Sequence, residues 1–232
     1  MAKPEQEFDQ FAEGYEGEIG RWVALTGESR EHFARARIEW TRMALAEYGI
    51  FRLAMDFGCG TGLSTPLLVD LFGAKIAIGL DVSSKSLDIA RRTIPATKAS
   101  FSLIDEYQPA GDFDLVFCNG VFHHILPEER LASIAYIKKS LRPGGIFVLW
   151  ENNTWNPIQR YAMSHADIDR NAVPIIMPEA QQLVRAGGLT ILRTDFCFFF
   201  PKLLSSLRGL EPLLHWLPIG AQYVVMSRNN GK

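Results

Sequence analysis

The sequence predicts a doubly wound α/β domain, and three observations carry that prediction. From Leu53 onward, strand-like and helix-like segments alternate, the signature of a parallel sheet covered by helices. The first strand, Leu53-Ala54-Met55-Asp56-Phe57, runs directly into Gly58-Cys59-Gly60-Thr61-Gly62, which places glycines on alternate positions where the backbone must turn and approach a ligand. The 232 residues are 47% hydrophobic and 22% charged, enough to bury the core of one such domain.

Taken in order, residues 5–17 carry Phe8, Phe11 and Tyr15 at helical spacing, and Gly14, Gly17 and Gly20 then loosen the chain before a helix expected from about Glu28 to Tyr48. The stripe Phe33, Arg37, Trp40, Ala44 and Tyr48, with Ile38, Met43 and Leu45 around it, predicts one broad buried face. Strands follow at Leu53–Phe57, Lys75–Asp81, Ser100–Ile104, Phe113–Asn119, Gly145–Glu151, Leu189–Phe199 and Tyr223–Arg228. Helices near Gly62–Phe72, Ser84–Ile94, Pro127–Leu141 and Pro178–Ala186 separate them. Pro127, followed by Glu128 and Glu129, marks a helix start, and Arg142-Pro143-Gly144-Gly145 marks its end in a turn. In the C-terminal third, Phe196, Phe198, Phe199 and Phe200 precede leucines at helical spacing from Leu203 to Leu217. This segment reads either as a helical connection or oligomer contact, or as an apolar tunnel or membrane-surface face for a lipid-like acceptor.

The glycine spacing narrows the ligand. A dinucleotide fingerprint would put its third small residue at Leu63, and a P-loop would need a lysine where Leu63-Ser64-Thr65 stand, so both phosphate readings are weak. With Asp56 two residues before the first glycine and Asp81 closing Ala77-Ile78-Gly79-Leu80-Asp81, the block resembles the class I S-adenosylmethionine (SAM)-dependent methyltransferases. The resemblance is best from about Ala44 to Asn152 and includes Phe113-Asp114-Leu115-Val116-Phe117. It implies a Rossmann-like, doubly wound, seven-stranded sheet, mostly parallel, with an antiparallel last strand between its two predecessors. It also implies a helical lid over residues 1–48 and a SAM-binding part over 49–232 of a single domain.

By that resemblance, Gly58, Gly60 and Gly62, with Asp56 before them, lie beside the methionine portion of the cofactor. Asp81 meets the ribose, a role that suits a carboxylate able to accept from two hydroxyls. Val82 touches the adenine face, Ile104 and Asp105 its amino edge, and Asn119 and Gly120 the amino-acid end. From the lid, Tyr15 is a candidate cofactor contact and Phe11 a candidate substrate contact, against the alternative of an aromatic stripe packed on the domain edge.

The acceptor is read from the carboxyl ends of the strands. The Asn/Asp-Pro-Pro-Tyr/Phe clamp of nucleobase methyltransferases is absent from Cys118–His124, and a net charge of -2 with a pI near 6.2 supplies no global basic field. The expected partner is therefore a small molecule rather than a nucleic acid. His123 and His124 are general-base candidates, of which neighbouring positions on a regular element allow one to face the acceptor. Glu151 is a second base candidate, and Asn152, Trp155 and Asn156 are candidates for acceptor recognition. The alternatives are a histidine bonded within the cofactor wall and an Asn-rich turn that bonds its own backbone. By the resemblance, residues 158–177, between the fifth strand and its helix, are the expected substrate cover.

Cys59, Cys118 and Cys197 are scattered, so neither a disulfide framework nor a metal-ligating set is expected. No apolar run reaches the roughly 18 residues of a spanning helix, and the polar N-terminus lacks a signal-peptide pattern, which reads as a cytoplasmic protein. The expected activity is methyl transfer from SAM to a small-molecule acceptor, leaving S-adenosylhomocysteine. The rival is a SAM-binding regulatory or partner subunit without turnover.

Overall fold

The fold is described for residues 26–231 from a computed structural model. Helix α1 (Arg30–Ala44) starts where the Ser29 hydroxyl accepts the His32 N–H at 3.2 Å. Its buried residues are Ala34, Ile38 and Thr41, with Leu45 just beyond, whereas Met43 and Tyr48 are exposed. The predicted stripe is therefore rotated: Phe33 and Arg37 line a cavity, and the Trp40 indole N–H donates to Asp195 at 2.9 Å. An aromatic or arginine side chain with an apolar stem satisfies a helical period equally well on a core face and on a cavity wall.

Strands β1 (Leu53–Phe57), β2 (Ile76–Asp81), β3 (Ser100–Leu103) and β4 (Phe113–Asn119) are joined through α2 (Thr65–Asp70) and α3 (Ser84–Thr93). Then come α4 (Arg130–Ser140), β5 (Leu141–Asn152), α5 (Pro157–His165), α6 (Met177–Ala186), β6 (Thr190–Cys197) and β7 (Gln222–Arg228). The seven strands lie in the order β3-β2-β1-β4-β5-β7-β6. Pairing is parallel from β3 through β5, and β7 is antiparallel to both β5 and β6.

Strand alternation divides the core between two faces. Met55, Val116, Phe147 and Leu149 pack under α4 and α6 with Ile134, Ile137 and Val184. Ala54, Leu115, Phe117, Val148 and Trp150 pack under α1 and α2 with Ile38 and Leu68. Trp150 also donates its indole N–H to Thr41 at 3.1 Å, which fixes α1 on the sheet. Asp114 has a structural role: it accepts the Arg52 and Leu53 N–H groups at 2.8 and 2.9 Å and the Arg142 Nε–H at 2.6 Å.

Three boundaries differ from expectation. Residues after Pro127 form turns first, and the helix begins at Arg130. The Arg142–Gly145 run does not end in a free turn: it lies within β5, where the register shifts between Phe113 and Leu115 and Gly144 takes φ 83°. Between β6 and β7, a 3-10 segment (Lys202–Leu210) leads into a short helix (Glu211–Leu214), and Leu203 is 92% exposed. The leucines there, Leu213 among them, form an exposed strip rather than a packed helix. Among the described residues, no helix is long and apolar enough to cross a membrane.

Candidate active site

In the order β3-β2-β1-β4-β5 the succession of strands across the sheet reverses between the parallel neighbours β1 and β4, the position where open α/β sheets bind ligands. Phe57 is paired with Cys118, so the glycine loop and the Asn119-Gly120 turn leave the sheet side by side. The loop is held by Leu80, whose carbonyl accepts from Gly58 and Cys59 at 2.7 and 3.0 Å. Gly58, Gly60 and Gly62 all have positive φ (73°, 53° and 82°). A Cβ on Gly58 would strike the Val121 side chain, whereas one on Gly60 would meet nothing within 4 Å. Glycine is needed at the first for packing and at the second for conformation and for open space above the backbone.

Two cavities meet over this loop, and both are lined by Gly58, Gly60, Asn119, Gly120 and His124. The second, about 260 Å³, adds Asp81, Val82 and Ile104, with Ser86 and Leu126. Asp81 is buried there; its Oδ2 accepts the Gly60 N–H at 2.7 Å and its Oδ1 the Ser83 N–H at 2.9 Å. Asn119 Oδ1 is buried and has no hydrogen-bond partner among the described residues. A buried acceptor without a partner costs stability, so an unpaired amide oxygen on the wall shared by both cavities fits a ligand that donates to it. The amino-acid end and ribose of SAM have the donors that this wall and Asp81 call for.

Asp56 sits beneath the loop and accepts the Thr65 hydroxyl at 2.7 Å. Burial pushes its carboxyl up to about 7 against the effect of that hydrogen bond, and the nearby charge of Asp81 adds to the rise.

The first cavity, about 270 Å³, is walled by Arg30, Phe33 and Arg37 of α1, Gln159 and Met163 of α5, Phe198, Asn152 and Gln222. Arg37 donates from Nε to the Gln222 side chain at 2.7 Å, and Gln222 donates in turn to Asn152 at 2.9 Å. The Arg37 guanidinium lies about 6.0 and 5.8 Å from the ring centroids of Phe33 and Phe198. Phe198 has φ 64°, unusual for a residue with a side chain; the buried Glu211 carboxylate holds it there by accepting the Phe198, Phe199 and Phe200 N–H groups at 3.1–3.2 Å.

His123 and His124 occupy one 3-10 turn (Phe122–His124) and both reach the first cavity, their ring centroids 4.1 Å apart. The expectation that only one could face it is corrected, because this turn is not a strand and lets the two rings converge. His123 Nδ1 lies 2.6 Å from Glu151 Oε2, and Nε2 lies 3.5 Å from Asp169. Burial opposes a charge on His123, but Glu151 and Asp169 outweigh it and raise its pKa to about 10. Burial and that neighbouring charge lower His124 to about 4.

Other sequence candidates fall elsewhere. Glu151 is fully buried behind His123 with Oε1 on the Phe122 N–H at 2.7 Å, so it has no face on either cavity. Strand alternation explains this: Asn152 faces the cavity and its neighbour Glu151 the opposite side. Asp105 is exposed in a turn away from both cavities. Trp155 is 45% exposed and stacks on Phe196. Asn156 caps α5, accepting the Ile158 and Gln159 N–H groups at 3.0 Å, the backbone-bonding alternative. Phe11 and Tyr15 lie outside the described residues. Gln159 and Asp169 fall within the expected cover of residues 158–177 and Phe198 within the aromatic C-terminal segment, without being singled out; Arg30 and Gln222 were missed, and for Arg30 the helical period shared with Phe33 and Arg37 held a usable signal.

Residues 54–145 match the family described as a methyltransferase domain. The trans-aconitate 2-methyltransferase of Rhizobium leguminosarum bv. trifolii is 31% identical over 115 residues, 50% of this chain and 44% of that one. That of Rhizobium etli is 32% identical over 126 residues, 52% of this chain and 48% of that one. The chain thus spans about half the length of the curated relatives it matches. Among solved structures, a SAM-dependent methyltransferase from Thermotoga maritima superposes with a TM-score of 0.69 at 20% identity, covering 98% of this chain and 100% of that one. One from Mesorhizobium loti gives 0.60 at 23% identity over 82% and 97%.

Proposed function

We propose that this chain is a class I SAM-dependent methyltransferase that transfers the methyl group of SAM to a carboxylate oxygen of a small acceptor held in the first cavity. The carrying observation is the pair of guanidinium-bearing residues, Arg30 and Arg37, on one face of α1 in a cavity that opens onto the glycine loop and Asn119. Guanidinium groups bind carboxylates through paired hydrogen bonds. The trans-aconitate methyltransferases, whose named substrate is a polycarboxylate, support this acceptor class.

Bound in the second cavity, SAM supplies a methyl group on an electron-poor sulfur. Asp81 holds the ribose hydroxyls, Val82 and Ile104 flank the adenine, and Asn119 with Gly120 receives the amino-acid end. Gly60 leaves the backbone bare where the two cavities join. Arg30 and Arg37 fix the acceptor so that its ionised oxygen faces the methyl carbon. With SAM held in the second cavity, that oxygen would stand opposite the methyl carbon and the sulfur would leave as a thioether, and because the carboxylate is already ionised no proton would have to move. Alignment then supplies most of the acceleration. A carboxylate acceptor needs no base, which agrees with Glu151 being shut away from the cavity.

The test is release of S-adenosylhomocysteine from SAM with a panel of small acceptors: trans-aconitate and simpler di- and tricarboxylates against their amides, phenols and amines. Turnover on the carboxylates, with an alkali-labile methyl ester as product, is expected. Turnover confined to phenols or amines overturns the carboxylate reading and leaves methyl transfer standing.

A further inference from the structure

The first cavity contains a group of side chains to which methyl transfer to a carboxylate assigns no role. His123, His124 and Asp169 each present a ligand atom, and all three atoms lie within 4.8 Å of one another. His123 Nε2 and His124 Nε2 are 3.5 and 3.6 Å from the same oxygen, Asp169 Oδ1. Two ligands about 2.1 Å from a tetrahedral metal are themselves separated by about 3.4 Å. Two of the three separations are therefore those of ligands around an ion, and the third stays within 4.8 Å.

The surroundings are those of a metal site as well. A metal-bound histidine commonly donates its other ring nitrogen to a carboxylate, which fixes the tautomer and aims the ligand atom. Glu151, 2.6 Å from His123 Nδ1, is placed for that role, and its second oxygen is anchored on the Phe122 N–H. Asp169 is held by its own turn: its N–H donates to Ala166 and its carbonyl accepts from Ala172, at 3.1 and 3.0 Å. The Val173 N–H bonds the His123 carbonyl at 2.8 Å, which ties the segment bearing Asp169 to the histidine turn. All three ligands line the cavity, so positions on the ion would remain open to an acceptor oxygen.

We propose that His123, His124 and Asp169 form a two-histidine, one-carboxylate site for a divalent first-row transition ion, oriented by Glu151 and opening onto the acceptor cavity. The ion replaces the Nε2 proton that His123 otherwise directs at Asp169. It stands independently of the carboxylate reading, because its test uses neither SAM nor an acceptor.

The probe is Co2+ alone, titrated into chelator-treated full-length chain and followed by its visible d–d absorption. A saturable spectrum of one ion per chain is expected, lost in Asp169→Asn and in His124→Gln and retained in His165→Gln, whose imidazole is exposed on α5. In Glu151→Gln the affinity should fall about 10- to 100-fold. Wild-type chain loaded with Cu2+ provides a second readout that needs no variant to fold: pulsed electron paramagnetic resonance should show two coordinated imidazoles. Absence of a Co2+ spectrum, its survival in both Asp169→Asn and His124→Gln, or fewer than two imidazoles on Cu2+ overturns the proposal.

Discussion

The carboxylate of Asp81 accepts the backbone N–H of Gly60 at 2.7 Å, so the residue at the end of β2 also holds the middle of the glycine loop after β1. Removing it should damage the loop and, on the proposed function, the ribose contact together. Asp81→Ala is expected to weaken S-adenosylhomocysteine binding by about 10- to 100-fold, the equivalent of losing a hydrogen bond to a charged group. Asp81→Asn, which keeps an acceptor oxygen, should lose less. Isothermal titration calorimetry measures both.

Gly58 and Gly60 should respond to alanine to different degrees. Gly58→Ala drives its methyl group into Val121 and should lower unfolding stability by about 2–4 kcal/mol, through overpacking and left-handed strain combined. Gly60→Ala meets open space and should lower stability by only about 1–2 kcal/mol, the strain alone, while impairing cofactor binding. Urea unfolding beside cofactor titration separates the two.

Asp56 supplies a pH signature. Its folded pKa of about 7 lies above the 3.8 of a free aspartate, so between those values the unfolded chain releases a proton that the folded chain keeps. Asp56 therefore costs stability progressively as pH rises from about 4 to 7. Asp56→Asn, which can still accept from Thr65, should gain on wild type across that window and hold a constant difference above it. Urea midpoints at a series of pH values, with chelator present throughout, test this.

Arg37 binds through a fork as well as a charge. In Arg37→Gln the KM for a carboxylate acceptor should rise about 10- to 100-fold with kcat little changed, the pattern of lost binding that ground and transition states share. Arg37→Lys should fall between variant and wild type, because a point charge replaces a planar fork. S-adenosylhomocysteine binding should be unaltered in both. Steady-state kinetics with calorimetry checks all three.

What the sequence revealed was local. The glycine loop, Asp81 at the next strand end and Asn119 at the fourth are short-range patterns, and each lies where strand and turn chemistry put it. Six of the seven strands both begin and end within a residue or two of expectation for the same reason, and the exception, β5, starts four residues early and runs through a proline and two glycines because a bulge accommodates them. The acceptor cavity was hidden because its walls come from α1, α5, the Phe198 corner and the start of β7, which no spacing connects. Glu151 and Asn152 show the finer limit: both sit at a strand end, but which one reaches solvent depends on the face, and the face depends on the register with β7.

The division of the two cavities along the chain has a consequence for inheritance. Gly58 through Asn119, which surround the cofactor side, fall within the stretch 54–145 shared with the methyltransferase-domain family. Arg30, Phe33, Arg37, Gln159, Phe198 and Gln222 lie outside it, before and after. On the proposed function, the donor side is encoded in one continuous cassette, and the acceptor side combines the end of that cassette, His123 and His124 included, with residues from its two flanks. If that proposal holds, exchanging the flanks between such chains should change acceptor preference while leaving the residues of the second cavity untouched.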